Sequence, residues 1–109
     1  MKLIVNKKQL GAAPELWLRQ AGYTLVPDRE AGQPSFARRL GRDFYPRFHV
    51  YFTSAPQDGG DEQITFNLHL DQKRPGYEGY SRHNAEYDGE VVEREIERLK
   101  SLLINQLFV

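Results

Sequence analysis

The chain has 109 residues, and its 15 basic side chains balance 15 acidic ones, so its formal net charge is zero. Such a balance gives no long-range attraction toward nucleic acid or an anionic membrane. The absence of cysteine excludes a disulfide framework, a thiolate nucleophile and cysteine-ligated zinc. The opening apolar run is too short for a signal peptide, and no segment approaches the ~18 apolar residues of a membrane span. We therefore predict one cytoplasmic domain over residues 1–109, with a single hydrophobic core.

The first predicted elements are a short strand and a helix. Residues 3–5 are compatible with an edge strand. Pro14 suits a first helical position and Gly22 suits the position just past a helix end, which predicts a helix over about residues 13–21. One face of this region carries Leu10, Ala13, Trp17 and Ala21.

Two strands and a loop are predicted next. Residues 23–26 have the composition of a strand, which Pro27 ends, and residues 28–34 have the glycine and proline content of a loop. Residues 35–40 alternate between two sets of side chains, which favours another strand.

An antiparallel hairpin is predicted in the middle of the chain. Pro46 lacks an amide donor and therefore suits the entry to a strand, which we place over residues 47–53. The loop over residues 54–63 contains Pro, Asp and two glycines, and it returns the chain into a second strand over residues 64–71.

Strand alternation separates the side chains of this hairpin into two faces. The apolar face carries Phe48, Val50, Phe52, Ile64, Phe66, Leu68 and Leu70. The polar face carries Arg47, His49, Tyr51, Thr53, Thr65, Asn67, His69 and Asp71. Two residues that pair across the hairpin must point to the same face of the sheet, so the sum of their residue numbers must be even. We choose the register in which the numbers of paired residues sum to 118, which sets His49 opposite His69 and Arg47 opposite Asp71.

The polar face is the predicted functional site. We expect a ligand to be bound by Arg47, His49, Tyr51, Asn67, His69, Asp71, Tyr77, Tyr80 and His83. His49, His69 and Asp71 could alternatively supply nitrogen and oxygen ligands to zinc, with His83 completing the shell. A third interpretation is a purely structural surface with an Arg47–Asp71 ion pair. Because no nucleophile-elbow, P-loop or metalloprotease spacing occurs, we predict no catalytic residue and no cofactor.

The segment over residues 72–87 has no clear periodicity and contains three tyrosines, Tyr77, Tyr80 and Tyr87. Ordered loops of this length are uncommon unless they bind something. The segment is interpreted either as a lid over the polar face or as a structural cover folded against the domain.

A group of arginines is a second candidate site. Residues 38–47 contain four arginines and one acid, and Arg38, Arg39 and Arg42 are candidates for binding phosphate, because guanidinium groups match phosphate oxygens. Residues 86–98 carry six acidic side chains against two arginines, so the two regions could instead neutralise each other. Nucleic acid is a possible partner that the net charge does not favour.

The last predicted element is a helix that Asp88 caps. Its apolar positions recur at spacings of four, three and four, at Val92, Ile96, Leu99 and Leu103. Its other face is predicted to be solvated and carries Glu90, Glu93, Arg94, Glu97, Arg98 and Lys100. The apolar residues 102–104 and 107–109 that follow favour a homodimer or a protein partner as a further interpretation.

Four stretches, SFARRL at 35–40, YPRFH at 45–49, NLHLDQK at 67–73 and EYDGE at 86–90, resemble those of a group of short bacterial proteins without an established activity. That resemblance implies no catalytic residue. The order helix, three strands, helix is also similar to the double-stranded-RNA-binding fold and to small toxin ribonucleases of the HicA type. In those ribonucleases one catalytic histidine lies on a strand, at the position of His49, but their glycine-serine-histidine signature is absent from this chain.

These observations predict an α+β two-layer sandwich, with an antiparallel sheet of three to five strands covered on one face by two helices. The predicted function is non-catalytic binding of a small ligand or protein through the polar face and the 72–87 segment. The alternatives are a metal-dependent or histidine-assisted hydrolase, such as a small ribonuclease, and an interaction module or homodimer that uses the apolar C-terminus.

Overall fold

The computed structural model describes residues 1–27, 34–72, 85–86 and 89–104, with the backbone alone described at 85–86. The strands are β1 (Lys2–Asn6), β2 (Thr24–Val26), β3 (Ser35–Arg39), β4 (Arg47–Pro56), β5 (Glu62–Asp71) and β6 (Ala85–Glu86). The helices are α1 (Pro14–Gln20) and α2 (Glu90–Ser101), and short 3₁₀ turns lie at Lys7–Gln9 and Asp58–Gly60. The predicted α+β class is confirmed.

The strands form one antiparallel sheet in the order β1-β5-β4-β3-β2, and the two-residue β6 pairs with the end of β5. β4 and β5 are therefore central, and β1 is the edge strand that the sequence predicts. The prediction of a loop over residues 72–87 is wrong at Ala85 and Glu86, which pair with Asp71 and Leu70. A two-residue strand carries no periodicity that could have revealed it. Residues 73–84 and 87 lie outside the described residues.

The β4–β5 register is the one predicted, because His49 opposes His69 and Arg47 opposes Asp71. Both strands are longer than predicted, and their pairing continues to Pro56 opposite Glu62. The predicted loop over residues 54–63 is therefore wrong at its ends, and the connection is confined to residues 57–61. Pro56 fits at the last position of its strand, where a missing amide donor costs little.

Both helices pack on the apolar face of the sheet, as predicted. The Trp17 ring of α1 lies 5.2 Å from the Phe66 ring of β5. The buried core includes Leu3, Val5, Trp17, Leu18, Phe36, Phe48, Val50, Ile64, Phe66, Leu68, Leu70, Val92, Ile96 and Leu99. Leu18 is fully buried although the predicted face of α1 omits it, whereas Ala13 on that face is exposed. Burying these side chains supplies the main stabilising free energy of the domain.

The ends of the helices follow from two residue types. Pro14 is the first residue of α1, and Gly22 just after that helix has a φ of 101°, a conformation that glycine adopts without steric cost. The residue that precedes α2 is Gly89, with a φ of 114°, and among the described residues no side chain caps the helix. The predicted cap by Asp88 lies outside the described residues.

The apolar stripe of α2 is confirmed at Val92, Ile96 and Leu99, which are 0 to 5% exposed, and Leu103 is half-buried against the core. Beyond the helix, Ile104 donates its amide to the carbonyl of Gln9 at 2.8 Å. Residues 107–109, which carry the second part of the apolar C-terminus, lie outside the described residues. None of the helices in the described ranges has the length and apolar character needed to cross a lipid bilayer.

Candidate functional site

The polar face of the hairpin is the side of the sheet opposite the two helices. Period-2 alternation brings Arg47 and His49 of β4 to this side, directly opposite Asp71 and His69 of β5. The predicted residues are thus brought together on two central strands. Three of these four side chains are buried, because Arg47, His69 and Asp71 are 9%, 7% and 2% exposed.

The two imidazoles are in direct contact. His49 Nδ1 lies 3.2 Å from His69 Nε2, and the ring centroids are 4.8 Å apart with the planes nearly perpendicular. A hydrogen bond at this distance requires one ring nitrogen to donate and the other to accept. The two ring nitrogens therefore face each other with one proton shared between them.

Asp71 completes this group on the same strand as His69. The ligand atoms of His49, His69 and Asp71 all lie within 4.8 Å of one another. Arg47 Nε lies 3.5 Å from Asp71 Oδ2, which confirms the predicted ion pair. We call Arg47, His49, His69 and Asp71 the histidine cluster. It combines one carboxylate, one guanidinium and two imidazoles that can each act as donor, acceptor or metal ligand.

Two aromatic rings before β4 cover the arginine of this cluster. The Arg47 guanidinium carbon lies 4.6 Å from the Phe44 ring centroid and 4.8 Å from that of Tyr45. Arg39, directly opposite Arg47 in the β3–β4 pairing, lies 4.9 Å from the same Phe44 ring. Two opposed arginines therefore contact the same aromatic ring, and each contact is a favourable cation–π interaction.

The other predicted site residues fall into three places. Tyr51 and Asn67 oppose each other on the same face, one same-face step beyond the histidines, and both are half-buried. Arg42 is exposed in the turn between β3 and β4. Tyr77, Tyr80 and His83 lie outside the described residues, as does most of the segment predicted to be a lid or cover.

Arg38 is separated from the other candidate phosphate ligands because strand alternation turns it to the helix side. Its guanidinium donates to both carboxylate oxygens of Glu95, at 2.9 and 3.3 Å. Arg98 binds the same carboxylate with two bonds of 2.9 Å, and the Tyr23 hydroxyl donates to it at 2.6 Å. We call Tyr23, Arg38, Glu95 and Arg98 the glutamate network. It confirms in part the predicted neutralisation between the arginine-rich and acidic regions.

The glutamate network shifts the pKa of its members. Burial alone would raise the pKa of Glu95, but hydrogen bonds from Arg98, Arg38 and Tyr23 outweigh it and hold that pKa below its ordinary value. Burial, reinforced by the negative charge of Glu95, raises the pKa of Tyr23 well above its ordinary value. Glu95 is therefore ionised and Tyr23 protonated near neutral pH, which is the combination that their short hydrogen bond requires.

Sequence reasoning missed the burial of Glu95, which is 3% exposed. The available signal was its helical position, because Glu95 lies three residues after Val92 and four before Leu99, on the stripe that packs inward. The matching signal for Arg38 was its alternation with Phe36 in β3, which assigns both side chains to one face.

A cleft of about 390 Å³ lies at the far end of the hairpin, near the 3₁₀ turns. Two ion pairs cross this region, Lys7 with Glu62 at 3.4 Å and Lys8 with Asp61 at 3.0 Å. Hydrogen bonds from Lys8 and Asn6 lower the pKa of Asp61. Since the charges here already satisfy one another, the cleft has less capacity to bind an ion than the histidine cluster.

No family model, curated protein or solved structure matches the chain. The resemblance to short bacterial proteins therefore stays a prediction, and the function is argued from the geometry of the chain itself.

Proposed function

We propose that the chain is a non-catalytic binding domain that holds a small anionic ligand on its polar sheet face. The observation that carries this proposal is the convergence of Arg47, His49, His69 and Asp71, three of them buried, on two central strands. Burying polar side chains costs free energy, and their convergence on one surface is typical of ligand sites. The lack of cysteine is compatible with the reducing cytoplasm, where we place the protein.

The charges on this face favour an anion. Register places Arg39 beside Arg47, and Lys2 lies opposite Asn67 on the far side of β5, so three cations share the face with Asp71. Like charges directly opposed on neighbouring strands are destabilising, and a bound anion would relieve the repulsion between Arg39 and Arg47. The guanidinium forks match phosphate and carboxylate oxygens, which makes these two groups the preferred ligand chemistry.

Arg39 gives the sharpest test, because it is exposed, faces the site and has no part in the glutamate network. Inorganic phosphate added in low-salt buffer should raise the melting temperature of the wild type, since an anion that binds only the folded state stabilises it. We expect Arg39→Gln to lose most of this rise. Arg94→Gln is the matched control, because Arg94 is an exposed arginine of α2, and it should keep the full effect.

A rise of equal size in all three proteins would show that phosphate acts elsewhere and would contradict the proposal. So would the absence of any saturable rise in the wild type. The control also separates specific binding from general screening by the added salt, because both variants lose one positive charge at an exposed position.

A second candidate function is histidine-assisted hydrolysis, which the contact between His49 and His69 favours. Two adjacent imidazoles can act as a general base and a general acid in one proton-transfer step. Incubation of the purified protein with a short single-stranded RNA tests this function. Cleavage that His49→Gln and His69→Gln each abolish would support it over simple binding, whereas intact RNA would leave the binding proposal as the better account.

A further inference from the structure

We infer that His49, His69 and Asp71 form a binding site for one divalent metal ion of the zinc class. The inference rests on the proposed function for its location, because it names a ligand of the same polar face. Three geometric observations support the metal site: the distance between the two imidazole nitrogens, the position of the carboxylate, and the placement of all three residues on two central strands.

The separation of the ring nitrogens matches a tetrahedral ion. Zinc binds histidine nitrogen at about 2.0–2.1 Å, so two nitrogens on one tetrahedral ion lie roughly 3.3 Å apart. His49 Nδ1 and His69 Nε2 are 3.2 Å apart. A metal can therefore enter between the two rings with almost no change in their separation, in place of the proton that joins them. That proton moves to the outer nitrogen of its ring or to solvent.

The carboxylate supplies the third ligand atom. Asp71 places an oxygen within 4.8 Å of one ring nitrogen of each histidine, so a rotation of its side chain or a small shift of the rings completes the set. Two imidazoles and one carboxylate are the donor types that suit Zn²⁺ and its first-row neighbours, whereas Mg²⁺ and Ca²⁺ prefer oxygen ligands throughout. The donor set therefore selects a transition metal.

The surroundings support the ligands in two ways. Arg47 Nε contacts Asp71 Oδ2, and such an outer partner orients a ligating carboxylate. The directly opposed positions of His49 and His69 in the longest strand pair of the sheet fix their backbones relative to each other. A site on paired strands keeps its geometry better than one on loops, so little ordering entropy is lost on binding.

The metal also gives the proposed anionic ligand a place to bind. The described part of the chain supplies three ligands, which leave one position of a four-coordinate ion for water or an anion oxygen. Arg39 and Arg47 then provide positive charge on the same face. An anion would thus be held jointly by the metal and by the guanidinium groups, and each should increase the affinity for the other.

The test uses the untagged protein after chelator treatment, so that no tag histidine competes. Zn²⁺ titration by calorimetry should give one ion per chain. His49→Gln should weaken Zn²⁺ binding by at least about tenfold, the lower end of the loss seen when even an outer partner of a ligand is removed. Thr53→Val is the matched control, because Thr53 lies on the same strand and face, is exposed and is separated from His49 by Tyr51, and it should bind Zn²⁺ like the wild type.

Co²⁺ gives a spectroscopic signature that a merely structural role would not produce. The wild type should show the visible absorption of four-coordinate Co²⁺, and His49→Gln and Asp71→Asn should each lose or shift it. His49 is half-buried and therefore keeps the test valid if the more deeply buried His69→Gln or Asp71→Asn variants fail to fold. Circular dichroism verifies the fold of every variant.

Absence of Zn²⁺ binding to the wild type, or equal binding by His49→Gln, would overturn the metal site. Phosphate titration of the metal-free protein separates this failure from failure of the proposed function. A phosphate effect that depends on Arg39, without any Zn²⁺ binding, would refute the metal and keep the anion site. One Zn²⁺ bound through His49, without a phosphate effect in either metal state, would refute the anionic ligand and support the metal.

Discussion

Two groups of buried and half-buried polar side chains lie on opposite faces of the same sheet, and their chemistry differs. In the glutamate network, both carboxylate oxygens of Glu95 accept hydrogen bonds from Arg38 and Arg98, while Tyr23 donates a further bond. In the histidine cluster, two imidazoles contact each other beside one carboxylate. Guanidinium groups stay protonated in proteins, whereas imidazoles exchange protons near neutral pH and bind metals.

The difference separates a structural role from a binding role. The glutamate network joins distant parts of the chain, because Arg98 also donates to the carbonyl of Ala21 at the end of α1 and Arg38 belongs to β3. Its hydrogen bonds hold α2 to the sheet and to the end of α1. The histidine cluster joins only β4 and β5, which an extended ladder of paired residues already holds together.

The cluster is therefore not needed to connect those two strands, whose pairing runs from Arg47 opposite Asp71 to Pro56 opposite Glu62. The comparison predicts that changes in the glutamate network lower stability, and that changes in the histidine cluster affect binding first.

The largest effect is expected from Glu95→Gln. The change removes the charge of a buried carboxylate that two half-buried arginines share, and removing one partner of a buried ion pair costs about 3–5 kcal/mol. Urea denaturation measures the loss in the free energy of unfolding. Glu97→Gln is the control, because Glu97 is exposed and pairs only with Lys100 among the described residues, and it should change stability by less than about 1 kcal/mol. Equal effects of the two variants would contradict a structural role for the network.

A slightly smaller loss is expected from Leu99→Ala, which shortens a fully buried side chain on the stripe that flanks Glu95. Truncation of a buried leucine costs about 2–5 kcal/mol, depending on how far the cavity collapses. Val91→Ala, at a position that is 36% exposed, should cost clearly less. This pair of variants shows whether α2 is held by its apolar stripe as well as by its buried charge. An unchanged denaturation midpoint for Leu99→Ala would mean that the helix face is misassigned.

A pH series sharpens the comparison further. Because the folded-state pKa of Glu95 lies below its unfolded value, the carboxylate contributes stability that is present above the ordinary pKa of about 4.3 and is lost as the pH falls through the folded pKa. The stability difference between wild type and Glu95→Gln should therefore be largest above about pH 5 and shrink in more acidic buffer. A difference that stays constant between pH 6 and about pH 2 would show that Glu95 acts through its shape alone.

The sequence predicted the sheet better than the charged groups, and the reason is the strength of the side-chain period. Alternation in β4 and β5 assigns every residue to a face, and one register then brings His49 opposite His69, which the structure confirms. The ends of these strands were missed because Pro56 and Glu62 pair through their backbones, and backbone pairing needs no apolar side chain there.

Charged residues carry no comparable signal. Glu95 has the same side chain as its exposed neighbours Glu93 and Glu97, and only three partners on other turns and strands make its burial favourable. The placement of Phe44 against Arg39 and Arg47 likewise depends on a turn whose path the sequence does not specify. Local patterns thus predict faces and registers, whereas the pairing of charges depends on tertiary contacts.

The most direct test of the binding role is a map of where phosphate acts on the molecule. Inorganic phosphate is titrated into ¹⁵N-labelled protein, and the chemical shifts of backbone amides and arginine Nε groups are followed. We expect saturable shifts at Arg39, Arg47 and His49 on the polar face, with little change at Arg98 in the glutamate network. Saturable shifts centred on Arg98, or none on the polar face, would contradict the assignment of binding to the histidine cluster.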